Sequence, residues 1–201
     1  MWHHPSRTRT NGAPDRNVQL SRPLGKAYLD CCKEDPVTTR GVVYIHAAPP
    51  ALCPHVEWAL SGVLGVRVTL DWTAQPAQPA LRCAELSWKG KPGVGAEIAS
   101  ALRGWHQLRF EVTEEPSAQV EGTRHSWTPR LGLFSATIGP HGDIMISEER
   151  LRAAVARASA DQDKRIEDEI ALLLGQPWDA ELEPFRYAGD GAPVRWLHQV
   201  G

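Results

Sequence analysis

The chain has 201 residues, of which 42% are hydrophobic and 23% are charged, so it can form a packed core and is not a wholly disordered protein. Its formal net charge of −2 argues against a non-specific nucleic-acid binder, which needs a basic surplus. No apolar run approaches the roughly 18 residues of a membrane span and no signal peptide opens the chain, so we expect no membrane partner either.

Residues 1–36 differ in composition from the rest of the chain. They contain the adjacent pair Cys31–Cys32 and show neither of the periods that indicate strands or helices. We interpret 1–36 as a disordered or non-native leader and 37–201 as a single α+β domain. The native start is then expected at Val37, read as Met from an alternative start codon.

Residues 38–115 alternate between strand and helix patterns. Alternation with a period of two predicts strands, and apolar residues three and four apart predict helices. In chain order the prediction is a strand at 41–47, a helix at 51–64, strands at 66–72 and 81–88, a helix at about 93–103 and a strand at 107–113. This β-α-β-β-α-β order is that of a ferredoxin-like unit, in which two helices cover one face of an antiparallel sheet.

Residues 116–201 form the predicted C-terminal extension of this unit. A β-hairpin is expected with strands at 131–138 and 142–146. Two helices follow, one capped by Ser147 and one starting at Asp161 and stopping at Gly175. The chain is predicted to end in a second hairpin around 189–191.

The predicted sheet has a polar face opposite its two helices. Mixed charge is typical of a solvated surface with cross-strand pairs, and it is also what a polar ligand or partner site would show. An RNA platform would need stacked aromatic side chains on the central strands, which Tyr44 alone does not supply. The candidate surface consists of Tyr44, His46, Arg67, Asp71, Glu85 and Arg109, with Thr69, Cys83, Glu111 and Thr113 beside them.

Trp58 is predicted to lie on the outer face of the first helix. At about 100° per residue the inward stripe consists of Leu52, Val56, Ala59, Leu60 and Val63. His55, Trp58 and Gly62 then lie together on the far side. Because an exposed indole is a large apolar surface, we expect another group to pack over it. That group is either the chain's own C-terminal segment or a partner chain. The aromatic residues considered for that segment are Phe185, Tyr187 and Trp196.

Four side chains are possible metal ligands or nucleophiles: His46, Cys53, His55 and Cys83. Their spacing is not that of a zinc site, so we expect no metal and no cofactor. Cys53 at a helix start is a candidate thiol nucleophile, although His55, two residues on, points elsewhere and is poorly placed as its base. The two cysteines after residue 37 and the absence of an export signal favour a reducing cytoplasm.

Arg186 and Arg195 fall on one side of the predicted terminal hairpin, with His198 nearby. Two guanidinium groups can hold a phosphate or a carboxylate bidentately, which makes this pair a candidate anion contact. The alternative is that the two arginines are merely exposed on the hairpin.

Long strings of the sequence resemble an actinobacterial protein family, domain-of-unknown-function family 3145. The strings are TTRGVVYIHAAPPALCPHVEWALSGVLGVRVTLDW, ALRGW, LRFEVTEEP, PWDAELEPFRYAG and GAPVRWLHQVG, and the likeness runs from Thr38 to Gly201. The resemblance implies a small cytoplasmic protein, a start near Val37 and a context of fatty-acid synthesis genes. It implies no catalytic residue.

These observations favour a non-enzymatic binding or regulatory module with a protein partner or a small polar ligand. The alternative is a small enzyme that uses the polar sheet face or Cys53. A homo-oligomer is compatible with both.

Overall fold

The computed structural model describes residues 38–117, 120–161 and 163–186. The predicted leader and the part of the predicted terminal hairpin after Arg186, including Arg195, lie outside the described residues. Across the described part of the chain no helix has both the length and the apolar character needed to cross a membrane.

The described residues form an α+β fold, as predicted. The strands are β1 (Thr39–Ala48), β2 (Thr73–Gln75), β3 (Gln78–Gly90), β4 (Arg109–Glu114), β5 (Gly122–Thr128), β6 (Gly132–Ile138) and β7 (Ile144–Met145). The helices are α1 (Cys53–Leu64), α2 (Val94–Leu102), α3 (Glu148–Ala160), α4 (Ile166–Leu173) and α5 (Gln176–Arg186), with a 3₁₀ turn at Pro50–Leu52 before α1.

The strands form one antiparallel sheet in the order β2-β3-β1-β4-β5-β6-β7. Strand β1 lies between β3 and β4, and β3 lies between β1 and β2. The first four strands are therefore interleaved as the split β-α-β-β-α-β arrangement requires. Strands β5 to β7 extend the same sheet beyond β4.

The main core lies between one sheet face and the helices α1 and α2. Val43, Ile45, Phe110 and Val112 point into it from the strands, and Phe110 is fully buried. Val56, Leu60, Ile98 and Leu102 close it from the helices. Burial of these side chains is the main stabilising contribution of this half of the fold.

The predicted strand at 66–72 is wrong. The segment is irregular, and its backbone is held by α1 instead of by a neighbouring strand: the amide of Val68 donates to Ser61 Oγ at 2.8 Å and that of Leu70 to Glu57 Oε1 at 2.9 Å. Alternation still turns Val68 and Leu70 inward, whereas Val66 is 62% exposed. The second strand in chain order is instead the short β2, which follows this segment and lies in residues that the sequence predicts as a loop.

The C-terminal extension was predicted only in part. The β6–β7 hairpin is present, and Ser147 caps α3 by accepting a hydrogen bond from the amide of Arg150. Asp161 ends α3 and forms a turn with Asp163, so α4 begins only at Ile166. Strand β5 was not predicted, because its two faces are both polar in sequence.

Helix α5 is the largest departure from the prediction. Residues 184–186 were expected to open the terminal hairpin, but they form the last turn of α5. Pro184 lies inside this helix, where proline is unusual because it removes a backbone donor and crowds the preceding turn. α5 packs against β5 and β1 on the sheet face opposite α1 and α2.

Candidate functional site

Helix α5 covers the central part of the polar sheet face. The register places Glu111 of β4 beside Tyr44 of β1 and Ser126 of β5 on this face. Leu182 of α5 is fully buried and Arg186 is 4% exposed. The prediction of a solvated face is therefore wrong at its centre, where a covering helix excludes water.

Glu111 is the centre of a buried group of charged side chains. His46 Nε2 lies 2.7 Å from Oε2, and Arg186 Nε donates to the same oxygen at 2.8 Å. Arg124 Nη2 donates to Oε1 at 2.8 Å, and Arg186 Nη2 donates to it at 2.5 Å. Ser126 Oγ is a further donor to Oε1 at 3.3 Å. Both carboxylate oxygens are therefore fully engaged.

Asp179 completes this group, which we call the Glu111 cluster: His46, Glu111, Arg124, Asp179 and Arg186. Asp179 Oδ1 accepts hydrogen bonds from the Nη2 atoms of both arginines, at 2.8 Å in the case of Arg186. Its side chain is 34% exposed, whereas those of the other four members are at most 8% exposed. Two guanidinium groups thus face two carboxylates, and each carboxylate accepts hydrogen bonds from both of them.

Burial and pairing act in opposite directions on the pKa values of the cluster. Burial alone would raise the pKa of Glu111, but the hydrogen bond from His46 and the charges of His46, Arg124 and Arg186 hold it well below its usual value. Burial would likewise lower the pKa of Arg186, but Glu111 and Asp179 raise it. With its pKa held low, Glu111 stays ionised at neutral pH, and Arg186, with its pKa raised, stays protonated.

The contacts around the cluster fasten α5 to the edge of the sheet. Gln75 of β2 donates to the carbonyl of His46 at 2.6 Å and to that of Phe185 at 3.2 Å. The guanidinium of Arg109 lies 4.6 Å from the centre of the Phe185 ring, a cation–π contact. Tyr44 stacks on His46, and burial followed by the charges of Glu85 and Glu111 raises its pKa to about 12.

The other candidates of the polar face do not join the cluster. Glu85 is exposed on β3, and Arg67 and Asp71 are exposed in the segment that connects α1 to β2. Arg186, one half of the candidate anion contact, is buried against Glu111 and Asp179, and its companion Arg195 lies outside the described residues. Sequence reasoning missed Arg124 and Asp179. The spacing of Asp179, Leu182 and Arg186 on one helical face is the signal that would have indicated Asp179.

Cys53, the candidate nucleophile, has a thiol whose pKa is raised and not lowered. It is buried at the start of α1, and burial raises the pKa of the thiol, with the charge of Glu57 acting in the same direction. Cys83 lies elsewhere, with its sulfur 3.2 Å from Thr73 Oγ1. Among the described residues no group of three or more His, Cys, Asp and Glu side chains is arranged to hold a metal ion.

An open cleft of about 560 Å³ lies at the end of the polar face that α5 leaves uncovered. Its walls include Val42, Thr113, Pro116, Ile138 and His141. Glu115 at its side forms an ion pair with Arg40 at 2.6 Å. The walls are mostly apolar, and Glu115 and His141 are the titratable residues among them.

The outer face of α1 is a separate surface on the other side of the molecule. Trp58 is 76% exposed, more than any other large hydrophobic side chain among the described residues. His55 is exposed one turn before it and Gly62 one turn after it. The predicted orientation of α1 is therefore present, with Val56 and Leu60 fully buried on the opposite side. Phe185 does not cover Trp58, because it packs on Arg109 across the sheet.

Comparison with known proteins gives a family and no activity. The family DUF3145, described as a protein of unknown function, matches residues 42–199, which is most of the chain. No curated protein and no solved structure matches it.

Proposed function

The chain belongs to the DUF3145 family of proteins of unknown function, and from its geometry we propose that it is a non-enzymatic binding module that presents the outer face of α1 to a protein partner. The observation that carries this proposal is Trp58, which is 76% exposed in the middle of a helix. Trp is the residue type most enriched among the anchors of protein interfaces. Covering its ring with a partner would contribute about 2–3 kcal/mol of favourable free energy from the burial of apolar surface.

The chemistry of the other candidates supports binding over catalysis. The Glu111 cluster is closed by α5 and its carboxylate is saturated with hydrogen bonds, so it stabilises the fold. The raised pKa of the Cys53 thiol also supports binding over the alternative of a thiol nucleophile. We place the protein in the cytoplasm, in keeping with its free cysteines Cys53 and Cys83, and we retain the link to fatty-acid metabolism as part of this proposal.

Trp58→Ala is expected to abolish capture of the partner while leaving the fold intact. The measurement is affinity capture from lysate of the native host with quantitative mass spectrometry, comparing the wild-type chain with the variant. Loss of an interface anchor of this kind lowers affinity about tenfold or more. The matched control is Val155→Ala, which removes a side chain that is 48% exposed on α3.

The capture experiment contradicts the proposal if the two variants retain the same proteins in the same amounts as the wild type. Enrichment of a protein that Trp58→Ala loses and Val155→Ala keeps supports it.

A further inference from the structure

The stripe around Trp58 pairs ring-bearing side chains with glycines. At about 100° per residue, His55, Trp58, Gly62 and Gly65 lie within one stripe of the helix surface. The two rings occupy the first half of α1, and the two glycines follow at its end. A Cβ atom at either glycine would meet nothing within 4 Å, so both leave open notches on the outside of the molecule.

No contact of Gly62 among the described residues calls for glycine at this position. Glycine in the middle of a helix costs about 0.5–1 kcal/mol relative to alanine. The φ angle of Gly62 is not among the positive ones, and no neighbouring group requires the missing side chain. Gly65, by contrast, ends α1 in a left-handed conformation with φ of 67°. The notch at Gly62 is therefore open, as far as the described residues go, to a partner that packs on α1 from outside.

A two-fold axis makes this stripe complementary to itself. If a second α1 crosses the first antiparallel, with the two-fold axis passing through the stripe midway between Trp58 and Gly62, then Trp58 of each copy lies over Gly62 of the other. The same operation places His55 over Gly65. An isologous dimer needs a patch of this kind, in which projections and notches exchange partners under the symmetry.

The charges of α1 also permit this contact. Among the exposed residues of the stripe none is acidic and none is Lys or Arg. Glu57, the one acidic residue of α1, turns its carboxylate to the amide of Leu70 and to Trp72 Nε1 at 3.0 Å. Two copies can meet here without burying like charges, whereas α3, α4 and α5 each carry several charged side chains.

We propose that the outer face of α1 binds a second copy of this chain, with Trp58 of each copy seated on Gly62 of the other. This inference rests on the proposed function, since it names the partner of the same surface. α1 has 12 residues and is therefore about 18 Å long. A contact of that length is at the small end of specific interfaces, so the dimer should dissociate on dilution.

Sedimentation velocity on the full chain, from about 1 µM to about 500 µM, tests the proposal. The wild type is expected to shift from monomer to dimer over this range. Trp58→Ala and Gly62→Leu should each weaken association about tenfold or more. Gly62→Leu is the sharper variant, because it fills the notch in open space and also raises helix propensity, so the monomer should become more stable while the dimer is lost.

The matched control is Gly104→Leu, since Gly104 is also exposed with nothing within 4 Å of an added Cβ and lies outside the stripe. It should associate as the wild type does. A wild type that stays monomeric throughout overturns the second copy as partner, as does a dimer that survives Gly62→Leu. Neither result decides the proposed function, which depends on whether capture from lysate requires Trp58.

Discussion

Glu111→Gln is expected to lower the free energy of unfolding by about 3–5 kcal/mol, because it removes the carboxylate that compensates two buried guanidinium groups. Glu111 is 6% exposed and accepts hydrogen bonds from both Arg124 and Arg186. For a domain of this size the melting temperature should fall by roughly 10 °C. Thermal and urea unfolding followed by circular dichroism measure the change.

Glu85→Gln is the matched control for this variant. Glu85 and Glu111 both lie opposite Tyr44 on the same sheet face, one on β3 and the other on β4. Glu85 is exposed whereas Glu111 is covered by α5, so its replacement should change stability by less than about 0.5 kcal/mol. Equal effects of the two substitutions would contradict a structural role for the Glu111 cluster.

The pH dependence of stability provides a second readout of Glu111. The folded-state pKa of Glu111 lies well below its usual value, so its contribution is fully present above the unfolded pKa of about 4.3 and is lost as the pH falls through the folded pKa. The difference in stability between the wild type and Glu111→Gln should therefore be largest near neutral pH and shrink in acid.

Arg186→Ala is expected to release α5 from the sheet at a cost of about 3–5 kcal/mol, since it removes one partner from a buried ion pair. Arg186 is 4% exposed and donates to both oxygens of Glu111 and to Asp179. Amide hydrogen exchange should accelerate most strongly in Gln176–Arg186 and less in β1 and β4, which keep their ladder partners and the main core.

Arg130→Ala controls for the loss of any arginine that pairs with α5. Arg130 donates to Glu181 of α5 at 3.2 Å, but its side chain is 71% exposed, and exposed pairs contribute about 0–1 kcal/mol. If amide hydrogen exchange in α5 is unchanged in Arg186→Ala, or if it is equally fast in both variants, then the Glu111 cluster does not hold this helix against the sheet.

The first half of the fold could be predicted from sequence because its patterns are local. The alternation of Val43 and Ile45 and the helical spacing of Val56 and Leu60 each follow from neighbours along the chain. The error at 66–72 has a specific cause: alternation turned Val68 and Leu70 inward, but the backbone partners were side chains of α1. Periodicity reports which side is buried and not which group satisfies the amides.

The Glu111 cluster could not be predicted in the same way, because its contacts are long-range. His46 and Arg186 lie 65 and 75 positions from Glu111 in sequence. Charged residues on a strand favour a solvated face unless a helix is known to cover them. That covering helix, α5, contains Pro184 and three acidic residues, so its own sequence gives only a weak helical signal.

Thermal unfolding of Trp58→Ala at a concentration where the chain is monomeric tests most directly whether the outer face of α1 is a surface for partners. We expect Trp58→Ala to melt within about 1 °C of the wild type, because an exposed side chain contributes little to the stability of the isolated fold. A fall of several degrees would mean that another segment of the same chain buries Trp58, and it would contradict the assignment of this face to a partner.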